Sequence, residues 1–202
     1  MNKVKLIGIS AQSPIDRMRA AEHVAKMLNY ELLDYDAPML ETLNFATGVS
    51  NSSSEEMDAY LGREWSYVRE EKFMEDGAVI FKPVRYHLTP KQIFTKLKYN
   101  MRDIHPDFWV NAFYTNRYFI PALGGVIPVR YPNEADGVVD HGGIMIRINN
   151  LHNRNVVTKE NLLMDNYGCD YTVDVDGEGL IKPLNEVLCE IEKHYPDVFT
   201  TK

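Results

Sequence analysis

The chain has 202 residues, of which 45% are hydrophobic and 25% charged, and its formal net charge is -7. This size and composition fit one globular domain, residues 1–202, with enough length for a full core. The acidic balance argues against broad nucleic-acid or membrane binding, because nucleic acids and membrane surfaces are negatively charged and attract basic proteins. The two cysteines, Cys169 and Cys189, lack metal-site spacing, and no run is apolar enough to span a membrane. We therefore expect a cytoplasmic protein without a metal site.

The N-terminal stretch KLIGISAQSPIDRMRAAEHVAKML predicts a strand followed by a helix. Residues 6–9 are a short apolar run, and apolar residues recur at helical spacing over residues 18–28. In a nucleotide site a glycine-rich phosphate loop would join two such elements, but the joint here contains no glycine.

That joint, ISAQSPIDRMR, leaves three interpretations open. The first is a plain strand-to-helix turn in which Asp16 caps the helix. The second is an anion site that uses Arg17 and Arg19 at the helix N-terminus, where backbone amides favour negative charge. The third is a working cradle for ATP.

Residues 48–88 predict an inserted, lid-type segment of mainly helical character. Serine and asparagine in GVSNSSSEEMD, residues 48–58, compete with regular backbone pairing and indicate a loop. A serine followed by two glutamates indicates a helix start, and we expect this helix to cover residues 55–74. Residues 77–88 predict a short strand or an extended loop, and Pro83 disfavours a central strand.

The second half alternates predicted helices with short apolar strands. A helix begins at Thr89-Pro90, a second lies within HPDFWVNAFYTNRYFI, and a third, PNEADGVVDHGG, ends at a glycine pair. GGVIPV, IMIRI and DYTVDV are strands, and GLIKPLNEVLCEIEKHY is a terminal amphipathic helix. The alternation predicts a parallel sheet covered on both faces, with the loops at residues 10–17, 128–133 and 174–179 on one rim.

Several segments carry a resemblance to a known family: DYDAPMLETLNFATG, TPKQIFTKL, RDIHPDFWVNAF, VIPVRYPNEAD followed by GGIMIRI, and DYTVDVDG. With these segments the chain, as far as residue 195, resembles the phage-type deoxynucleoside monophosphate kinases, which have the P-loop kinase fold. The resemblance implies a three-layer α/β fold with about five parallel strands flanked by helices. It also implies a deoxynucleoside monophosphate as phosphoryl acceptor, with ATP and magnesium as cofactors only if the family activity is retained.

Two parts of the machinery for phosphoryl transfer differ from that family. Its phosphate loop reads approximately Gly-Lys-x-x-Ser-Gly-Lys-Asp-Thr, and the aligned stretch here is AQSPIDRMR. Ala11 and Asp16 replace the two glycines, and Asp16 places a carboxylate where a phosphate would lie. Arg17 replaces the lysine, and Arg19 replaces the hydroxyl residue that holds magnesium. At the end of the central strand, Pro128 replaces the family's acid.

The acceptor side matches the family better. The resemblance places Arg130 opposite the phosphates, Arg102 and Asp103 beside the acceptor pocket, and Lys91 at the basic position after Thr-Pro. For Arg130 and Arg102 the alternative is a structural ion pair with nearby acids such as Asp103 or Asp136. The candidate nucleotide- and phosphate-binding residues are Ser13, Arg17, Arg19, Lys91, Arg102, Asp103, Arg130, Asp176 and Gly177.

Three hypotheses about function follow. The first is a nucleotide-binding, kinase-like protein whose ATP-dependent phosphoryl transfer is lost or much reduced. The second is an active deoxynucleoside monophosphate kinase with a non-standard loop, in which Arg17 replaces the lysine and Arg17 and Arg130 are the candidate catalytic residues. The third is a phage accessory protein in the host cytoplasm that has the kinase fold but no kinase activity. It would use this fold for interaction, as a homodimer or with another protein.

Overall fold

The computed structural model describes residues 6–47, 65–115, 124–150, 162–176 and 179–196. The chain divides into two compact units, one made of Met1–Ala37 with Asp107–Lys202 and the other of Pro38–Pro106. In the described part, the strands are β1 Leu6–Ala11, β2 Glu31–Leu32, β3 Trp65–Glu75, β4 Ala78–Leu88, β5 Gly125–Val129, β6 Ile144–Asn150 and β7 Tyr171–Val175. The helices there are α1 Pro14–Leu28, α2 Ala37–Thr47, α3 Pro90–Ile104, α4 Phe108–Thr115, α5 Pro132–Asp140 and α6 Ile181–His194.

The larger unit is built on a five-stranded sheet in the order β2-β5-β1-β6-β7. Every neighbouring pair in it is parallel, and Ile9 on the central strand is in register with Pro128 on one side and Ile146 on the other. Helices α1 and α6 cover one face, and α4 and α5 cover the other. This confirms the predicted three-layer α/β fold with a parallel sheet of the P-loop type.

The sheet is apolar on both faces, as a sheet between two helical layers requires. Alternate residues of β1 point to opposite faces: Ile7 and Ile9 pack with α1 and α6, whereas Leu6 packs with α4 and α5. Because all five strands run the same way, their carboxyl ends meet at one edge of the sheet. The described parts of the three loops expected on one rim therefore do lie there.

Pro128 occupies an unusual place, since it lies in a strand with neighbours on both sides. A proline has no backbone N–H to donate to a ladder. Strand β2 pairs only with Gly125 and Val126, so β5 continues beyond the end of β2 before it reaches Pro128. The proline is therefore tolerated where one side of β5 no longer carries a ladder.

The smaller unit contains α2, a long antiparallel hairpin of β3 and β4, and α3. The helix expected over residues 55–74 is wrong for its described part, because residues 65–75 are the strand β3. Aromatic and β-branched residues in WSYVREEKFME favour a strand, and all eleven residues of β3 have partners in β4. Residues 55–64 lie outside the described residues. The part of the 48–88 segment that is described is thus a hairpin, and its role as a lid stays a prediction.

The start of α3 agrees with the sequence. The Thr89 hydroxyl accepts a hydrogen bond from the Gln92 backbone N–H at 3.2 Å, and the Gln92 side chain accepts one from the Thr89 N–H at 2.9 Å. This reciprocal capping box, followed by Pro90 in the first turn, satisfies backbone donors that the helix leaves unpaired.

Candidate functional site

The connection between β1 and α1 is only Gln12 and Ser13. Ser13 is the N-cap of α1: its hydroxyl accepts a hydrogen bond from the Asp16 backbone N–H at 3.2 Å, and its carbonyl accepts from the Arg17 N–H at 3.0 Å. Pro14, the first helical residue, has no N–H. The turn interpretation is therefore right about the connection, but it is wrong about the cap, which is Ser13 and not Asp16.

Asp16 lies in the first turn of α1 and is almost fully buried, with 4% of its surface exposed. Its carboxylate accepts a hydrogen bond from the Asn150 side-chain amide, at the end of β6, at 3.0 Å. A negative charge is stabilised at this end of a helix by the helix dipole. The chain thus carries its own carboxylate where a phosphate-binding loop would leave space for an anion.

Arg17 is buried and bends back toward β1, where its Nη1 donates to the Ala11 carbonyl at 3.3 Å. Burial lowers the pKa of its guanidinium, and the nearby charge of Arg130 lowers it further, while nearby carboxylates act in the opposite direction. Arg19 points away from the core on the exposed side of the same helix. The structure therefore brings Arg17, but not Arg19, into the cluster of charges at the rim.

Arg130, just after β5, forms a two-pronged ion pair with Asp36. Its two terminal nitrogens donate to the two Asp36 oxygens at 2.7 Å each, and Asp34 lies 3.7 Å away. Burial lowers the pKa of Arg130, but the hydrogen bonds to Asp36 and the charges of Glu134, Asp36 and Asp34 outweigh it, so the pKa is raised overall. Arg130 thus does form an ion pair with a nearby acid, but that acid is Asp36 and neither of the two examples, Asp103 and Asp136.

Glu134 completes this cluster from the first turn of α5. It is fully buried, and its carboxylate accepts from the backbone N–H groups of Arg130 at 2.8 Å and Tyr131 at 3.3 Å. Partial desolvation raises the pKa of Asp34, and the neighbouring carboxylates of Asp36 and Glu134 add to that effect. Two arginines and three carboxylates therefore largely neutralise each other, and the cluster is not a ready anion site.

A second ion pair is formed by Arg147, in the middle of β6. The guanidinium of Arg147 donates to the Asp165 carboxylate and to the Met164 carbonyl, and its Nε donates to Asn149 at 3.2 Å. Gln12, from the β1–α1 connection, donates to both oxygens of Asp165 at 3.0 Å. Sequence reasoning missed this group, although a lone arginine inside the apolar run IMIRI was a signal for it.

Three other predicted site residues belong to the smaller unit, on α3. Lys91 is exposed in its first turn, whereas Arg102, half-buried, and Asp103, exposed, lie in its last turn. Lys91 and Arg102 are about 16 Å apart along the helix, at 1.5 Å per residue. In the larger unit Asp176 is exposed just after β7, and Gly177 lies outside the described residues.

Two cavities of the larger unit lie away from the rim arginines. One, of about 520 Å³, lies between α4 and α5 and includes Asp107, Asp136 and Asp140 in its lining. The other, of about 810 Å³, follows α6 past Lys182 and Cys189. The first is acidic and has no arginine or lysine among its lining residues, so it does not suit a phosphate.

The sequence matches no protein-family model and no curated protein. In the described part of the chain, no helix is both long and apolar enough to cross a membrane.

Proposed function

We propose that this chain is a nucleotide-binding relative of the deoxynucleoside monophosphate kinases in which ATP-dependent phosphoryl transfer is lost or strongly reduced. The observation that carries the loss of transfer is the closed N-terminus of α1, where the chain's own groups take the donors that would bind phosphate. Nucleotide binding is supported by the sequence resemblance and is compatible with the parallel sheet of P-loop type.

Phosphoryl transfer depends on positioning the phosphates and on stabilising their charge. A phosphate cradle needs several backbone N–H groups pointing at the ligand. Here Pro14 has no N–H, that of Asp16 is taken by the Ser13 hydroxyl, and that of Arg17 is taken by the Ser13 carbonyl. The buried Asp16 carboxylate would also repel a phosphate at short range. These features together disfavour ATP in the position that the family uses.

The second hypothesis, an active kinase that relies on Arg17, is less well supported. A lysine or arginine that stabilises transferring phosphates must be able to reach them. The guanidinium of Arg17 donates instead to the Ala11 carbonyl, within the neutralised cluster. Pro128, in place of the family's acid, supplies no ligand for magnesium.

Calorimetry separates the two parts of this proposal. We expect at least one of the four deoxynucleoside monophosphates to bind, ATP with magnesium to bind weakly or not at all, and a coupled ADP-release assay to show no turnover at high protein concentration. ADP release with any acceptor would contradict the loss of transfer. Failure of all four monophosphates to bind would contradict the nucleotide-binding part.

An accessory interaction protein is a second candidate, which the β3–β4 hairpin favours. Met74, Val79 and Phe81 lie next to each other on one face of the hairpin and are 70%, 47% and 63% exposed. Exposed apolar clusters of this kind are typical of contact surfaces. Self-association through this apolar face is the simplest form. Light scattering of the wild type and of Phe81→Ser would then show a dimer that the variant lacks; a monomer in both would oppose it.

A further inference from the structure

We propose that Ser10, Gln12 and Arg147 form a binding site for a phosphate-class oxyanion, which the carboxylate of Asp165 occupies in this structure. The site lies at the carboxyl end of β1 and beside the middle of β6, apart from the Arg130–Asp36 pair. It goes beyond the proposed function, because it is defined for inorganic phosphate and requires no nucleoside.

The first step is the unpartnered hydroxyl of Ser10. This residue is 1% exposed, and its Oγ has no hydrogen-bond partner among the described residues. A buried hydroxyl without a partner is uncommon in folded proteins and calls for a reason. Ser10 is in direct register with Arg147 across the β1–β6 ladder, so the two side chains lie on the same face of the sheet.

The second step is the way Asp165 fills the site. Its carboxylate accepts from the Gln12 amide at 3.0 Å and from the guanidinium of Arg147. The carboxylate bonds to Gln12 and Arg147 but does not reach the Ser10 hydroxyl, which stays without a partner among the described residues. A tetrahedral oxyanion has further oxygens, and it could accept from the amide, the guanidinium and the hydroxyl together.

The third step is that Asp165 can leave. It belongs to a turn and not to the sheet, and 31% of its side chain is exposed, compared with 10% for Arg147. The turn itself is held by Met164, which is buried in the core, so a rotation of the Asp165 side chain into solvent is sufficient. The guanidinium is thus fixed, and its present counterion is displaceable.

An internal carboxylate competes with an external anion at a high effective concentration. We therefore expect weak phosphate binding in the wild type and at least tenfold tighter binding in Asp165→Asn, which removes the competing charge and keeps an oxygen acceptor for Gln12. The matched control is Asp174→Asn, on β7, which changes the net charge equally and removes a carboxylate that bonds to Asn149 instead of Arg147. The probe is inorganic phosphate, measured by calorimetry at constant ionic strength with chloride as the reference anion.

The inference is supported if Asp165→Asn gains phosphate affinity, Asp174→Asn does not, and adding Arg147→Gln to Asp165→Asn removes the gain. It is overturned if folded Asp165→Asn and Asp174→Asn bind phosphate equally. If Asp165→Asn does not fold, the wild type decides: the Arg147 Nε–H resonance should shift as phosphate is added, and no shift at the highest soluble phosphate concentration overturns the site. Neither result depends on whether nucleotides bind.

Discussion

Arg130 and Asp36 face each other with both terminal nitrogens of the guanidinium 2.7 Å from the two carboxylate oxygens. The arginine follows β5 and the aspartate follows β2, so the pair joins the ends of two neighbouring parallel strands. The pair occupies the end-on edge of the guanidinium, so a phosphate would have to displace Asp36 to bind both terminal nitrogens of Arg130. The geometry favours a structural role in the resting protein.

Removing the acid of this pair should destabilise the fold. In Asp36→Asn the charge of Arg130 stays partly buried without its carboxylate, since the two side chains are only 21% and 16% exposed. We expect a loss of about 2–3 kcal/mol in the free energy of unfolding, measured by urea denaturation. The control is Glu75→Gln, which breaks the Lys82–Glu75 pair at 52% and 58% exposure and should cost less than about 1 kcal/mol. Equal effects of the two substitutions would contradict a structural role for Asp36.

Removing the carboxylate of Asp34, next to Asp36, should instead raise the free energy of unfolding at neutral pH. The pKa of Asp34 is raised in the folded protein, so its ionised form costs stability above that pKa, and this cost disappears in acid, where the group is protonated in both states. Asp34→Asn keeps the oxygen that accepts from the Asp36 N–H at 2.9 Å. We expect it to be more stable than the wild type at pH 7, by less than about 1 kcal/mol because half of the side chain is exposed.

The pH dependence is the sharper measurement for Asp34. The difference between Asp34→Asn and the wild type should shrink as the pH falls through the raised pKa of folded Asp34, and it should be lost below ~3.9, the pKa of an unfolded aspartate. A variant that is less stable than the wild type at pH 7, or a difference that grows in acid, would show that Asp34 acts as a second favourable partner of Arg130.

The core of this fold could be predicted from the sequence because its signals are local. Short apolar runs such as GGVIPV and IMIRI are typical of buried parallel strands, and Thr89-Pro90 and the glycine pair at 142–143 mark helix ends by their own backbone chemistry. The hairpin was mistaken for a helix for the same reason. Two glutamates ahead of it in the sequence, Glu55 and Glu56, indicated a helix start, whereas pairing with β4 decides the structure of residues 65–75.

The candidate site was less predictable because its pairings join distant parts of the chain. Asp36 and Arg130 are 94 positions apart, and Gln12 and Asp165 are 153 apart. Nothing local distinguishes Asp36 from Asp103 or Asp136 as the partner of Arg130. Only the strand order, which places β2 beside β5, selects it.

The closed turn between β1 and α1 leads to a prediction about Ser13. Its hydroxyl caps α1, so Ser13→Ala should lower the free energy of unfolding by about 1 kcal/mol, and Ser13→Asp should retain most of the stability. Because the cap already uses this hydroxyl, we expect Ser13→Ala to leave nucleotide affinity unchanged in calorimetry. A large loss of affinity without a loss of stability would instead assign Ser13 to a ligand.

Gly142 and Gly143 follow α5 and should tolerate substitution very differently. Gly142 has a φ of 73°, in the left-handed region, and a Cβ there would meet no atom within 4 Å. Asparagine adopts this region readily, so Gly142→Asn should be nearly neutral, whereas Gly142→Ala should cost about 1 kcal/mol. At Gly143 a Cβ would lie 2.7 Å from the Leu6 carbonyl oxygen and 2.8 Å from that of Val138.

The obstacle at Gly143 is backbone, which cannot rotate away as a side chain can. Gly143→Ala should therefore cost about 1–3 kcal/mol, and Gly143→Asn at least as much, because the added atoms push α5 from the start of β6. Urea unfolding of the four variants gives the comparison. If asparagine were equally tolerated at both positions, the close approach between Gly143 and the backbone of β1 would be wrong, and with it the way α5 packs against the central strand.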